Sequence, residues 1–249
     1  MHEDELYKDI YKDPRLFLNA GFEKNVALEL SAGQAHYLRN VLRREAGSFV
    51  RVFNGVDGEW AGRLEVLGKR GGVVRLEKLL KSQGDAKVRV HLLFAPIKKQ
   101  RMDFLIEKAV ELGVTDLHPV LTARTENRKL NMERFEAQVI EASEQCERLD
   151  VPVVHDSVSL AQVIRGWNDG DVLAAIERVH APVLREVVDG KAPAYAFLIG
   201  PEGGFDDSEK VFLEEAPNVQ AISLGEAVLR AETASIACLA YVGLVQGGG

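Results

Sequence analysis

Apolar positions along the chain follow two rhythms. From residue 15 to about residue 80 they come in short runs rich in Val, Leu, Phe and Trp, at 15–18, 26–30, 48–54, 59–67 and 73–79. The turn signals Asn54-Gly55, Asp57-Gly58 and Gly71-Gly72 separate them, which predicts short strands joined tightly. One helix interrupts: Ser31 and Gln34 are spaced as a capping box, and Ala35, Leu38, Val41 and Leu42 form its apolar side. Several short strands and a single helix predict a small barrel-like β domain. The polar stretch Lys81-Ser82-Gln83-Gly84-Asp85 reads as a linker, which divides the chain into domains at 1–83 and 84–249.

From residue 87 strands alternate with helices. Strand-length apolar runs stand at 88–95, 117–121, 172–176, 195–199 and 219–224. Helical spacing covers 99–112, with Met102, Leu105, Ile106, Ala109 and Val110 on one side and Gly113 as the stop. Further helices are expected from a cap at Asn131 to about 147, over 206–215 and over 231–245. Strands that are apolar throughout, spaced by helices, predict a parallel sheet covered on both faces, hence an α/β domain.

Composition narrows the reading. The chain has 249 residues, 46% hydrophobic and 28% charged, as in ordinary globular proteins. Its start carries Glu3, Asp4, Glu5 and Asp9, the opposite of the basic start of a secretory signal peptide. The longest uncharged apolar run, 234–245, is shorter than the ~20 residues of a membrane helix, so no membrane partner is expected. Cys146 and Cys238 lack metal or CxxC spacing and read as free thiols of a cytoplasmic protein. The six histidines are scattered without ligand spacing, so no metal is expected. The net charge of −7 is uneven: residues 87–134 carry 10 basic and 6 acidic side chains, and residues 135–249 carry 7 and 19. Such acidity disfavours indiscriminate nucleic-acid binding but leaves local basic stretches able to hold phosphates.

The dinucleotide fingerprint, the phosphate-loop motif, HExxH and GxSxG are all absent, which disfavours a nicotinamide dehydrogenase among others. Two segments remain. In Phe197-Leu198-Ile199-Gly200-Pro201-Glu202-Gly203-Gly204-Phe205 an apolar strand enters a Gly/Pro turn, and Asp206 and Glu209 open a helix. In Ile222-Ser223-Leu224-Gly225-Glu226-Ala227-Val228-Leu229-Arg230-Ala231-Glu232-Thr233-Ala234 a second strand ends at a glycine before a helix. Open α/β sheets bind ligands at such strand ends. Each segment alone also reads as a plain turn or as a capped helix start with an ion pair; two in one half favour one shared pocket.

These residues resemble the RsmE family of the SPOUT class, 16S ribosomal RNA methyltransferases that act on uridine N3. The blocks that carry the resemblance are 36–43, 99–103 with 107–108 and 111–114, Arg124, 141–145 with Arg148 and Pro152, and the two glycine segments. Where the family's last motif has an additional arginine, this chain has Ala227. The resemblance implies a PUA-like β-barrel RNA-binding domain and then a SPOUT-type parallel sheet with a C-terminal trefoil knot. It also implies a homodimer, S-adenosyl-L-methionine as cofactor, and the small ribosomal subunit as partner in ribosome biogenesis. Leu198, Ile199, Gly200, Pro201, Ser223, Leu224, Gly225, Val228 and Leu229 would hold the cofactor, largely through backbone.

Methyl transfer is an in-line displacement, and uridine N3 must lose its proton, so a base or a cation at the developing anion is needed. Arg230 suits the cation, with Arg124 second. Glu202 or Glu232 suits the base, or else holds an arginine or caps a helix. Arg39, Arg43 and Arg44, expected on one helix with Arg39 and Arg43 sharing a face, are with Arg101 the expected RNA contacts. The alternatives are a related methyltransferase acting on another RNA or base atom, and a non-catalytic ribosome-assembly factor.

Overall fold

A computed structural model describes residues 7–84 and 88–246, so Glu3, Asp4 and Glu5 of the acidic start, the end of the expected linker and the glycine tail lie outside the described residues. The chain forms two compact units, Met1–Ala86 with Ser143–Val151, and Lys87–Ala142 with Pro152–Gly249. The contiguous division at 83/84 thus overlooks nine residues near the middle of the chain that belong to the first unit.

The first unit holds β1 (Arg15–Phe17), β2 (Ala27–Leu30), β3 (Phe49–Phe53), β4 (Glu59–Gly68) and β5 (Gly71–Lys81) in one sheet, ordered β1-β3-β4-β5-β2. The expected linker therefore begins inside β5. The hydrogen-bonded order has two ends, β1 and β2, and Leu16, Leu28 and Leu30 from those ends share one apolar cluster with Leu38, Val50, Val52, Leu64, Val74 and Leu76.

Helix α1 (Ala32–His36) starts at the expected capping box: Ser31 Oγ accepts from Gln34 N, and Gln34 Oε1 from Ser31 N. It then widens into a π turn over Tyr37–Val41, with Leu42 N donating to Tyr37 O. Arg43 adopts φ +54° and Arg44 N reaches back to Leu38 O. Arg43 and Arg44 therefore fall beyond the helix that carries Arg39, contrary to the expectation that all three lie on one helix with Arg39 and Arg43 sharing a face. The left-handed position that ends the helix is filled by an arginine where glycine is the usual signal.

Ser143–Val151 joins this unit through buried charge. Arg15 is 3% exposed and Glu59 4%, and Arg15 Nε lies 2.6 Å from Glu59 Oε1. The other guanidinium nitrogens donate to the carbonyls of Ser143 (2.8 Å) and Arg148 (2.6 Å), and the group lies 3.7 Å over the Phe53 ring. Arg51 bridges Glu59 (3.4 Å) and Glu147 (2.8 Å). Every donor of a buried guanidinium needs an acceptor, and two here are backbone carbonyls of the 143–151 segment.

The second unit is built on β6 (Arg89–Phe94), β7 (Asp116–Leu121), β8 (Val153–Val154), β9 (Val158–Ser159), β10 (Val172–Ala175), β11 (Ala194–Ile199) and β12 (Val219–Ile222). The sheet runs β12-β10-β11-β6-β7-β8, β9 pairs with β7, and every pairing is parallel. Its helices are α2 (Lys99–Glu111), α3 (Met132–Gln145), α4 (Leu160–Gly166), α5 (Leu184–Val187), α6 (Asp207–Glu215) and α7 (Ala231–Gln246). Leu93, Val120, Ala174, Ala196 and Leu198 pack with Leu160, Ile164 and Leu213 in one cluster. Helix α7 packs on α2 and β11, burying Ala234, Cys238, Leu239 and Val242. Among the described residues no helix is long and apolar enough to cross a membrane. Both cysteines are free, and burial pushes the Cys238 thiol up to about 12.

Arg15→Met leaves buried Glu59 with only the longer contact to Arg51 (3.4 Å) and leaves two carbonyls without their donor. We expect a loss of about 3 kcal/mol or more of unfolding free energy in urea titrations; a loss under about 1 kcal/mol would mean the segment is held by other contacts.

Candidate active site

In a parallel sheet all strands end on one edge, so the turns after neighbouring strands meet. Strands β12, β10 and β11 are neighbours, and the segments after them border one cleft of about 690 Å³. After β11 come Gly200–Phe205, after β12 come Ser223–Arg230, and after β10 come Ile176 to Val179.

Local sequence explains each turn. Asp206 caps α6 by accepting from Glu209 N (2.8 Å), and Glu209 returns the bond to Asp206 N (3.0 Å). That backbone donor and the Ser208 hydroxyl hold the Asp206 carboxyl below its usual range. A Cβ on Gly200 would meet the Phe205 ring at 3.0 Å, so glycine lets the turn fold onto Phe205. Gly225 differs: its φ is +119° and nothing lies within 4 Å of a Cβ there, so its need is conformational and the space beside it is open. Ser223 bridges to Val183 in parallel, and its Oγ accepts from Gly225 N (3.3 Å).

The structure gathers most of the expected cofactor residues. Ile199, Gly200, Pro201, Ser223, Leu224, Gly225, Val228 and Leu229 all line the cleft. Leu198 does not; its side chain is buried in the core of the sheet. Val228 is 62% exposed, an apolar surface within the cleft lining.

Arg230, Arg124 and Glu202 also line the cleft. The Arg230 carbonyl accepts from Ala234 N (2.8 Å), the first bond of α7, which puts the residue at the helix cap. Its side chain is exposed, and among the described residues no carboxylate pairs with it. Arg124 Nη1 donates to Gly203 O at 2.7 Å. Arg101, assigned with the RNA contacts from sequence, stands in the cleft wall. Its Nη1 lies 2.5 Å from Glu202 Oε1 and its Nε 3.8 Å from Glu232 Oε1. Glu232 is buried, and its Oε2 has no hydrogen-bond partner among the described residues. Sequence reasoning missed this clasp because α2 and the two glycine turns are far apart in the chain. It also missed residues 176–179, which the strand-end rule applied to β10 would have found.

In the first unit, Arg39 lines a small groove of about 280 Å³ with His36, Asn40, Gly68 and Lys69. Arg43 is exposed, and Arg44 is paired with Asp13 at 2.8 Å.

Comparison with known proteins places these features. Residues 84–243 match the family described as RNA methyltransferase domain, and residues 30–77 match the RNA methyltransferase PUA domain. The ribosomal RNA small subunit methyltransferase E of Rickettsia conorii is 34% identical over 93% of this chain and 95% of its own length. The protein of the same name from Synechocystis is 33% identical over 86% of this chain and 71% of its own. A putative methyltransferase of Legionella pneumophila, solved with bound cofactor SAM, superposes with a TM-score of 0.86 at 29% identity, covering 93% of this chain and 97% of its own. The small subunit methyltransferase E of Neisseria gonorrhoeae, bound to S-adenosyl methionine, gives 0.82 at 27% identity, covering 94% and 98%.

Proposed function

This chain belongs to the RNA methyltransferase family, and from that premise we propose that it methylates N3 of a uridine in 16S ribosomal RNA of the small ribosomal subunit, using S-adenosyl-L-methionine. The observation that carries the proposal is the convergence of the two glycine turns on one cleft beside an exposed arginine that no carboxylate pairs among the described residues.

The cleft fits that cofactor. At about 690 Å³ it lies within the ~300–1,000 Å³ of small-molecule sites. Gly225 leaves open space where a side chain would stand, and Val228 and Leu229 offer apolar surface. Ile199 to Pro201 contribute backbone, and so do Ser223 to Gly225, which suits an adenosine read through peptide groups. When bound, the cofactor supplies a methyl group activated by its sulfonium.

The protein's part is to place the uracil and manage charge. Arg230 stabilises the anion that develops as N3 loses its proton, and Arg124, which also lines the cleft, is the second candidate for that role. Glu202 receives that proton while Arg101 holds the carboxylate in position, and Glu232 braces Arg101 from its buried side. Arg39 and Arg43 contact RNA phosphates from the first unit. Arg44, already tied to Asp13, contributes field rather than a free fork. The knot implied by the resemblance is part of this reading; supporting it, the turns after β10, β11 and β12 border one cleft, and α7 returns to α2 and β11. So is the homodimer, for which light scattering should give about twice 27.5 kDa; a chain active as a monomer would remove it.

The test is transfer of labelled methyl from S-adenosylmethionine to small subunits from cells lacking the enzyme, with the modified base mapped. We expect N3-methyluridine in 16S RNA. Arg230→Ala should lower turnover by about 100-fold with cofactor affinity little changed, and Arg230→Lys should recover only part. Label on another base atom would move the chain to a different RNA specificity. Near-normal turnover of Arg230→Ala would pass the charge role to Arg124.

A further inference from the structure

A second cluster of titratable side chains lies at the amino ends of β6 and β7, away from the strand ends that form the cleft. These strands pair in parallel with His91 opposite Asp116. Side chains alternate along a strand, so His118, two residues on, shares that face. His91 and Asp116 are buried and His118 is half-buried.

His91 Nδ1 lies 3.1 Å from His118 Nε2 and 3.7 Å from Asp116 Oδ2. One ligand atom from each of the three falls within 4.8 Å of the others. A tetrahedral ion with ligands at about 2.0–2.1 Å sets them about 3.3–3.4 Å apart, between the first two distances.

The surroundings orient these groups. His91 Nε2 lies 3.0 Å from Asp169 Oδ2; holding its proton there, the carboxylate leaves the Nδ1 lone pair facing His118 and Asp116. Asp116 Oδ2 accepts from Thr115 at 2.8 Å, while Oδ1 is held by His155 at 2.9 Å and Arg89 at 3.1 Å. His155 stacks on His118 with centroids 3.9 Å apart, and Trp167 stands edge-on to His91 and His118 at 5.0 and 5.4 Å. Asp116 and Asp169 against Arg89 leave a net negative charge that a cation offsets.

We propose that His91 Nδ1, His118 Nε2 and Asp116 bind a divalent transition-metal ion of the zinc class, with Asp169 positioning His91 and water completing the coordination. The absence of ligand spacing along the sequence does not bear on this site, because its ligands come from two neighbouring strands. The ion would fasten β6 to β7 at the end of the sheet opposite the cleft.

The test titrates the full chain, stripped with a chelator, with cobalt(II) and then zinc(II). We expect one cobalt per chain, the visible bands of tetrahedral coordination, quenching of Trp167, displacement by zinc, and a zinc-dependent rise in the thermal unfolding midpoint. His118→Gln should abolish all of these. Asp169→Asn, which keeps every ligand, should weaken affinity about 10–100-fold, and His180→Ala, at an exposed histidine, should change nothing. If folded wild type binds neither ion, or if His118→Gln or Asp169→Asn binds as wild type does, the His91–His118 contact is a plain hydrogen bond and the proposal fails.

Discussion

The constraint on which the rest depends is the common direction of the strands in the second sheet. Parallel pairing obliges every chain segment to leave the sheet at one edge, and the burial of Phe197, Leu198, Ala174 and Ile222 fixes where each leaves. The peptide groups past those points have no further strand to pair with. They either bend back, as at Gly200 against Phe205, or stay open to a ligand, as at Gly225. The cleft is thus a consequence of topology, and the glycines decide how wide it stays.

Charge is placed against local preference in the same region. Arg230 sits at the amino end of α7, where the helix dipole disfavours a cation by about 0.3–1 kcal/mol when exposed. Arg101 sits between two glutamates, one of them buried with an oxygen that has no partner among the described residues. Departures from local rules of this kind are expected where chemistry rather than stability sets the residue. In the first unit the buried Arg15–Glu59 pair is different: each of its three guanidinium nitrogens has an acceptor, and its effect is to fasten residues 143–151 to the sheet.

The long elements were legible because their apolar periods are strong. Helix α2 and strands β3, β4, β6, β10 and β11 lie within a residue or two of their expected bounds, and the boxes at Ser31 and Asp206 close as read. Strands β8 and β9 have two residues each and no period to read. Helix α4 carried a legible signal, Ser159 with Gln162, that periodicity alone did not reach. The π turn at Tyr37–Val41 was hidden because Arg43 takes a left-handed conformation with no glycine to announce it. The strand-end glycines marked the cleft, while the Arg101 clasp and the His91–Asp116–His118 group depend on contacts between distant elements that no linear spacing records.

The central claim is that the two glycine turns form one cofactor cleft. Calorimetric titration of S-adenosylmethionine into the wild-type chain and into Gly225→Val tests it most directly, because a branched residue cannot hold φ +119° without strain and its side chain enters the open space. The account predicts one site per chain for wild type and loss of binding in a variant that keeps the wild-type circular dichroism. Undiminished affinity in folded Gly225→Val would place the cofactor elsewhere.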